Sequence, residues 1–131
     1  MRAKLWLTLW LIGILFPIAG FRQFSRFRGI FDTVFSPNWM HVIMHMALFA
    51  GLTVLLFLTF RWPPNKRSAA QALLIVLAVG LLQEGFQAGV QAFWLKGALY
   101  DLVVDLSGGI VGCVACTCVF KRANTRRFLH E

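Results

Sequence analysis

His41 and His45 stand four residues apart, and so do Asp101 and Asp105. Between them, Glu84, Gln87 and Gln91 fall at i, i+3 and i+7, with Gln83 beside them. On helices, each of these sets shares one face. A neutral imidazole beside a carboxylate forms an oriented hydrogen-bonded pair able to hold or move a proton. His41, His45, Glu84 and Asp105 are also residue types that ligate divalent metals. No HExxH-type pattern accompanies them, so no metal is expected; lone histidines on membrane helices can also ligate haem, but no cofactor is expected. The plainest reading is that these groups hydrogen-bond one another and lock a helical bundle. The functional reading is that they bind a polar headgroup or small ligand.

The elements that must carry these residues are apolar. Of 131 residues, 59% are hydrophobic and only 14% charged, against roughly 25% charged in a typical soluble domain. Mean hydropathy is +0.71. This excludes a soluble globular enzyme, a disordered tail protein and a disulfide-knit miniprotein. Four apolar runs stand out, at about 5–21, 39–60, 69–88 and 99–120. A 20-residue helix rises about 30 Å, the thickness of a hydrocarbon core. Backbone groups in lipid must bond internally, so the runs are expected to be helices. The expected fold is all-α: a single polytopic membrane domain over 1–131, built as a four-transmembrane-helix bundle.

The first run, kinked or stopped near Pro17, resembles a signal peptide in following Arg2 and Lys4. Ile18 makes a poor cleavage site before a break after Gly20, so the run is expected to stay as a membrane helix. Phe21, just before residues 22–36, and Phe24, Phe27, Phe31 and Phe35 within them recur at spacings of three or four, with Arg22, Arg26 and Arg28 between. That pattern predicts an amphipathic interfacial helix between helices 1 and 2, ended by Ser36-Pro37. Trp39, Trp62, Trp94 and Tyr100 lie near the expected membrane boundaries, as belt aromatics do.

The net charge of +8 comes from short basic clusters between the runs. It reads as topological retention and attraction to anionic lipid, and no nucleic-acid partner is expected. With four spans, one side holds Arg2, Lys4, Arg61, Lys66, Arg67, Lys121, Arg122, Arg126 and Arg127; the other holds Arg22, Arg26, Arg28 and Lys96. The excess places both termini in the cytoplasm, with 121–131 a basic cytoplasmic tail. Cys113, Cys116 and Cys118 near that end read as small apolar packers in a reducing compartment.

Depth ties the polar residues together. In this orientation His45, Glu84 and Asp105 each lie about 5–7 residues below the outer boundary, or roughly 8–10 Å at helical rise. Polar groups at membrane depth face a partner or a cavity. A shared polar pocket opening outward is therefore expected from His41, His45, Glu84, Gln87, Asp101 and Asp105, with the Phe-rich segment as its lid. Asp101, Asp105, Gly108 and Gly112 form one stripe, and Gly108–Gly112 is a small-xxx-small seam that admits a neighbouring backbone.

The stretch from Gln83 to Gly112 resembles the VanZ-like family of small bacterial membrane proteins. That family shows an E-x-x-Q pair, matched by Glu84 and Gln87, and a D-x-x-x-N-x-x-G-x-x-x-G run on the next helix. Asp101, Gly108 and Gly112 match the run, with Asp105 where the family usually has Asn. His45 followed by Phe49 and Leu52 looks like the family's histidine helix. Where the family often carries an Arg about six residues before the Asp, this chain has Lys96, five before. The resemblance spans helices 2 to 4 and implies a helical membrane bundle of the cell envelope, with teicoplanin resistance as the family's naming activity.

Three functions follow from these readings. One is an envelope protein whose pocket binds a lipid or cell-wall precursor headgroup, the ligand being lipid-linked or a glycopeptide. Another is a non-enzymatic accessory subunit of a larger membrane protein complex. The third is a membrane-embedded acid–base enzyme on a lipid-linked substrate. Binding is favoured over catalysis, and no catalytic residue is assigned.

Overall fold

The structure is a computed structural model. It describes the backbone of residues 2–15, 38–90 and 95–128, and the side chains of 2–15, 39–86 and 97–120. Four helices account for nearly all of the described residues, and no strand occurs among them: α1 (Arg2–Leu15), α2 (Asn38–Phe60), α3 (Lys66–Val90) and α4 (Leu95–Phe128). Three are long and apolar enough to cross a membrane, over Trp39–Phe60, Lys66–Phe86 and Gly97–Phe120. The first apolar run is helical over Arg2–Leu15. Its remainder, and the expected interfacial segment 22–36, lie outside the described residues. The helix through the fourth run continues to Phe128, so most of the basic tail is helical.

The surface is inverted relative to a soluble protein. Leu74, Val103, Val119, Leu58 and Leu82 are each more than half exposed, whereas His45, Thr53, Gln83 and Asp105 are buried. In water this would cost heavily on both counts; in lipid it costs little for the apolar faces and shelters the polar groups from hydrocarbon. The chain is a membrane protein of helical build. Its apolar core joins Phe49, Leu52, Leu56 and Phe57 of α2 to Val76 and Val79 of α3 and Cys116 of α4, with Leu7 and Ile14 of α1. Cys113, Cys116 and Cys118 are free thiols, Cys116 being part of that core.

Hydroxyls within the helices satisfy themselves. Thr53 donates to Phe49 O at 3.0 Å, Ser107 to Val103 O at 2.8 Å and Thr117 to Cys113 O at 2.9 Å. Each bond returns one turn along its own helix, so the group needs no external partner.

The α2–α3 connection is built from local chemistry. Arg61 has φ 51°, the left-handed region. Trp62 N donates to Phe57 O at 3.2 Å, the six-to-one bond of a Schellman motif. The Trp62 ring stands edge-on to Phe57, centroids 6.1 Å apart, supplying the apolar contact that accompanies the motif. Asn65 then caps α3: its Oδ1 accepts from Ser68 N at 2.9 Å.

Register follows from close contacts. A Cβ on Gly108 would meet Met46 backbone atoms, and one on Gly112 would meet Ala50 O and Thr53. Both numbers rise together, so α2 and α4 are parallel. Gly80 faces Asp105 and Leu102, while Gly109 faces Leu73 and Val76. Those numbers run oppositely, so α3 is antiparallel to α4. Trp10 Nε1 donates to Leu48 O at 2.8 Å and Thr59 Oγ1 to Ala3 O at 3.3 Å, fixing α1 antiparallel to α2.

Candidate functional site

The parallel pair α2 and α4 brings the two histidines to the two aspartates. His41 Nε2 lies 3.0 Å from Asp101 Oδ1, and His45 Nδ1 lies 2.7 Å from Asp105 Oδ1. Both pairs span the same sixty residues of sequence, so they form two rungs of one ladder, a helical turn apart. The His41 and His45 rings adjoin, with centroids 4.3 Å apart and planes tilted by 46°.

The rungs differ in environment. The His41 side chain is 47% exposed, whereas the Asp105 side chain is 0% exposed. The upper rung is therefore open and the lower rung closed. Where Asp105 is a carboxylate it only accepts, and the shared proton then sits on His45 Nδ1, which donates to Oδ1. That assignment leaves the Nε2 lone pair of His45 free.

Gly80 leaves room for the closed rung. A Cβ there would come within 3.1 Å of Asp105 Oδ2 and of Leu102 Cδ1. Its missing side chain lets α3 close over the aspartate. The sequence offered one pointer to Gly80: it precedes Glu84 by four residues, on the same helical face.

Polar capacity remains unused. Gln83 Oε1, Glu84 Oε1 and Asp105 Oδ2 are buried without a hydrogen-bond partner among the described residues. Glu84 lies within electrostatic reach of Asp101, Asp105 and both histidines, though it bonds none of them. Among the described residues, the only ion-pair contacts of these acids are with His41 and His45; no Lys or Arg joins them. The side chains of Gln87 and Lys96 lie outside the described residues, as does all of Gln91.

Four of the six expected pocket residues thus meet directly: His41, His45, Asp101 and Asp105. Glu84 adjoins them as a neighbour in charge without a shared hydrogen bond. Gln83, which the expected pocket did not include, is buried beside Glu84 with an unpartnered oxygen. Gly108 and Gly112 lie one and two turns beyond Asp105, at the closest approach of α4 to α2. The arrangement can bind donors or cations through its free oxygens, and the His45–Asp105 pair can hold a proton out of contact with solvent.

No family model, no curated protein and no solved structure matches this chain.

Proposed function

We propose that this chain is a VanZ-like, four-span protein of the bacterial cytoplasmic membrane that binds a lipid or cell-wall precursor headgroup. Both termini lie in the cytoplasm, and the polar site opens toward the outer face. The observation that carries this reading is the His–Asp ladder, with the unpartnered oxygens of Glu84 and Asp105 beside it. Acceptors held this way in a lipid-facing bundle attract amine, hydroxyl or amide donors from a headgroup. The charge asymmetry of the loops supports the orientation.

The test is binding of a lipid-linked cell-wall precursor, with phosphatidylethanolamine as a second probe. The purified protein is held in detergent micelles containing EDTA. Glu84→Ala and Asp101→Ala each remove a charged acceptor worth about 1.5–3 kcal/mol, so affinity falls by roughly 10- to 100-fold. Folded variants that bind both probes as well as the wild type would refute the reading.

The 2.7 Å His45–Asp105 contact favours a second reading, an acid–base enzyme acting on the same lipid-linked substrate. Mass spectrometry of the incubated precursor separates the two: a changed mass marks turnover, an unchanged one marks binding alone.

A further inference from the structure

We infer that His41, His45 and Asp101 form a binding site for a divalent transition-metal ion, of which Zn²⁺ is the natural candidate. One ligand atom from each of the three lies within 4.8 Å of the other two. Bonds of about 2.0–2.1 Å to nitrogen and oxygen place tetrahedral ligand atoms about 3.3 Å apart. The His41 Nε2–Asp101 Oδ1 edge is already 3.0 Å. The longest separation must shorten by about 1.5 Å to reach that tetrahedron. The His41 side chain is half exposed, so solvent rather than packed protein borders its open side.

Asp105 supplies the support that such a site requires. A metal-bound histidine commonly donates its other ring N–H to a carboxylate, which fixes the tautomer and raises ligand basicity. His45 Nδ1 lies 2.7 Å from the fully buried Asp105; in the tautomer with the proton on Nδ1 it donates to that carboxylate and leaves Nε2 as the metal ligand. Asp105 is thus a positioning residue. Gly80, by admitting Asp105 against α3, belongs to the same support.

Charge gives an independent argument. Asp101, Asp105 and Glu84 sit within electrostatic reach of one another, with no Lys or Arg pairing them among the described residues. Carboxylates inside a lipid-facing bundle with no fixed positive charge beside them among the described residues are costly even when histidines bond two of them, and a divalent cation offsets two of the three charges. Two nitrogens and one oxygen suit Zn²⁺ better than Ca²⁺ or Mg²⁺, which take oxygen ligands. Three protein ligands leave a fourth position open, as in sites where the metal meets a ligand or water. The sequence expectation of no metal rested on the missing HExxH pattern. Here the ligands come from two helices sixty residues apart, which no linear motif records. The site does not depend on the headgroup reading.

The experiment strips the purified protein in detergent micelles with EDTA and removes the chelator. It then titrates Zn²⁺ by calorimetry and Co²⁺ by visible absorption, with no headgroup present. The expected result is one equivalent per chain at micromolar affinity or tighter. The Co²⁺ spectrum should show nitrogen–oxygen ligand-field bands without thiolate charge transfer. His41→Ala and Asp101→Asn each weaken binding at least about tenfold. Asp105→Asn weakens it about 10- to 100-fold with helicity retained, and shifts the Co²⁺ bands, which a purely structural loss would not do. Absence of stoichiometric binding, a spectrum dominated by thiolate charge transfer from Cys113 or Cys118, or full affinity in His41→Ala would overturn the proposal. Should a variant lose helicity, the wild-type Co²⁺ spectrum decides between the ligand sets on its own. Headgroup binding is measured in EDTA and metal binding without headgroup, so either can fail while the other stands.

Discussion

Replacing Gly108 by alanine should damage both stability and the polar site. A Cβ at that position would lie 2.5 Å from the Met46 carbonyl oxygen and 2.8 Å from Met46 Cα. These are backbone atoms, so no side-chain rotation relieves the overlap. Relief requires α2 and α4 to part by about 0.8 Å, since close carbon–oxygen contacts between helices sit at about 3.3 Å or more. His45 is adjacent to Met46, and Asp105 lies one turn from Gly108. The displacement therefore reaches their contact almost undiminished, stretching 2.7 Å toward about 3.5 Å, the limit of a hydrogen bond. Overpacking costs about 1–3 kcal/mol, and loss of part of a charge-assisted bond adds to it, for a combined loss of about 2–4 kcal/mol. Gly13 is the internal control: a Cβ there meets nothing within 4 Å. Gly13→Ala should be neutral, or stabilising by up to about 1 kcal/mol through helix propensity. Unfolding in mixed micelles titrated with dodecyl sulfate, followed by helicity, measures both. The His45 Nδ1–H resonance reports the hydrogen bond directly. If Gly108→Ala unfolds at the same midpoint as Gly13→Ala and keeps that resonance, the claimed coupling between seam and site is wrong.

Three further predictions concern the parts that hold the bundle together. At the α2–α3 connection, Asn65→Ala removes the cap on Ser68 N and should lower stability by about 1 kcal/mol, with Asn65→Asp close to wild type; Arg61→Gly relieves a left-handed residue and should raise it by up to about 1 kcal/mol, net of glycine's greater freedom in the unfolded chain. The same dodecyl sulfate titration checks both signs. Trp10→Phe deletes the donor to Leu48 O and part of the ring that packs on Gly51, so α1 should become more accessible to protease at a cost of about 1–2 kcal/mol, while α2–α4 stay intact.

The apolar runs made the spans legible, because lipid leaves a segment no other partner for its backbone than itself. Hydropathy marks where side chains meet hydrocarbon, however, not where hydrogen bonding stops. That is why α4 runs on through Lys121 and Arg122 to Phe128, past the end of the apolar run at Phe120. The faces were legible too: i, i+4 spacing put His41 with His45 and Asp101 with Asp105. Which face meets which was not, because periodicity fixes rotation within a helix and says nothing about its neighbour. Gly80 escaped notice for a related reason. A glycine's purpose lies in what approaches it, and here that is Asp105 Oδ2 from another helix.

Register is where the two patterns on α4 constrain each other. The acids repeat every four residues, and so do Gly108 and Gly112; the histidines on α2 repeat likewise. Neither pattern alone forbids α4 from slipping one turn along α2, because each would still find a match. The ends of the ladder forbid it. A slip in one direction pairs His45 with Asp101, leaving Asp105 without its histidine and bringing Val104 to Met46 in place of Gly108. A slip in the other direction pairs His41 with Asp105, strands Asp101, and sets Cys116 against Ala50 in place of Gly112. Either way one rung breaks, leaving a carboxylate unpaired in a lipid-facing bundle, and a side chain is forced into a gap that only glycine fills. Leaving a buried charge alone costs about 3–5 kcal/mol before the steric penalty is added. A ladder of just two rungs is thus enough to select one register, and that register brings histidines and acids of separate spans to one level.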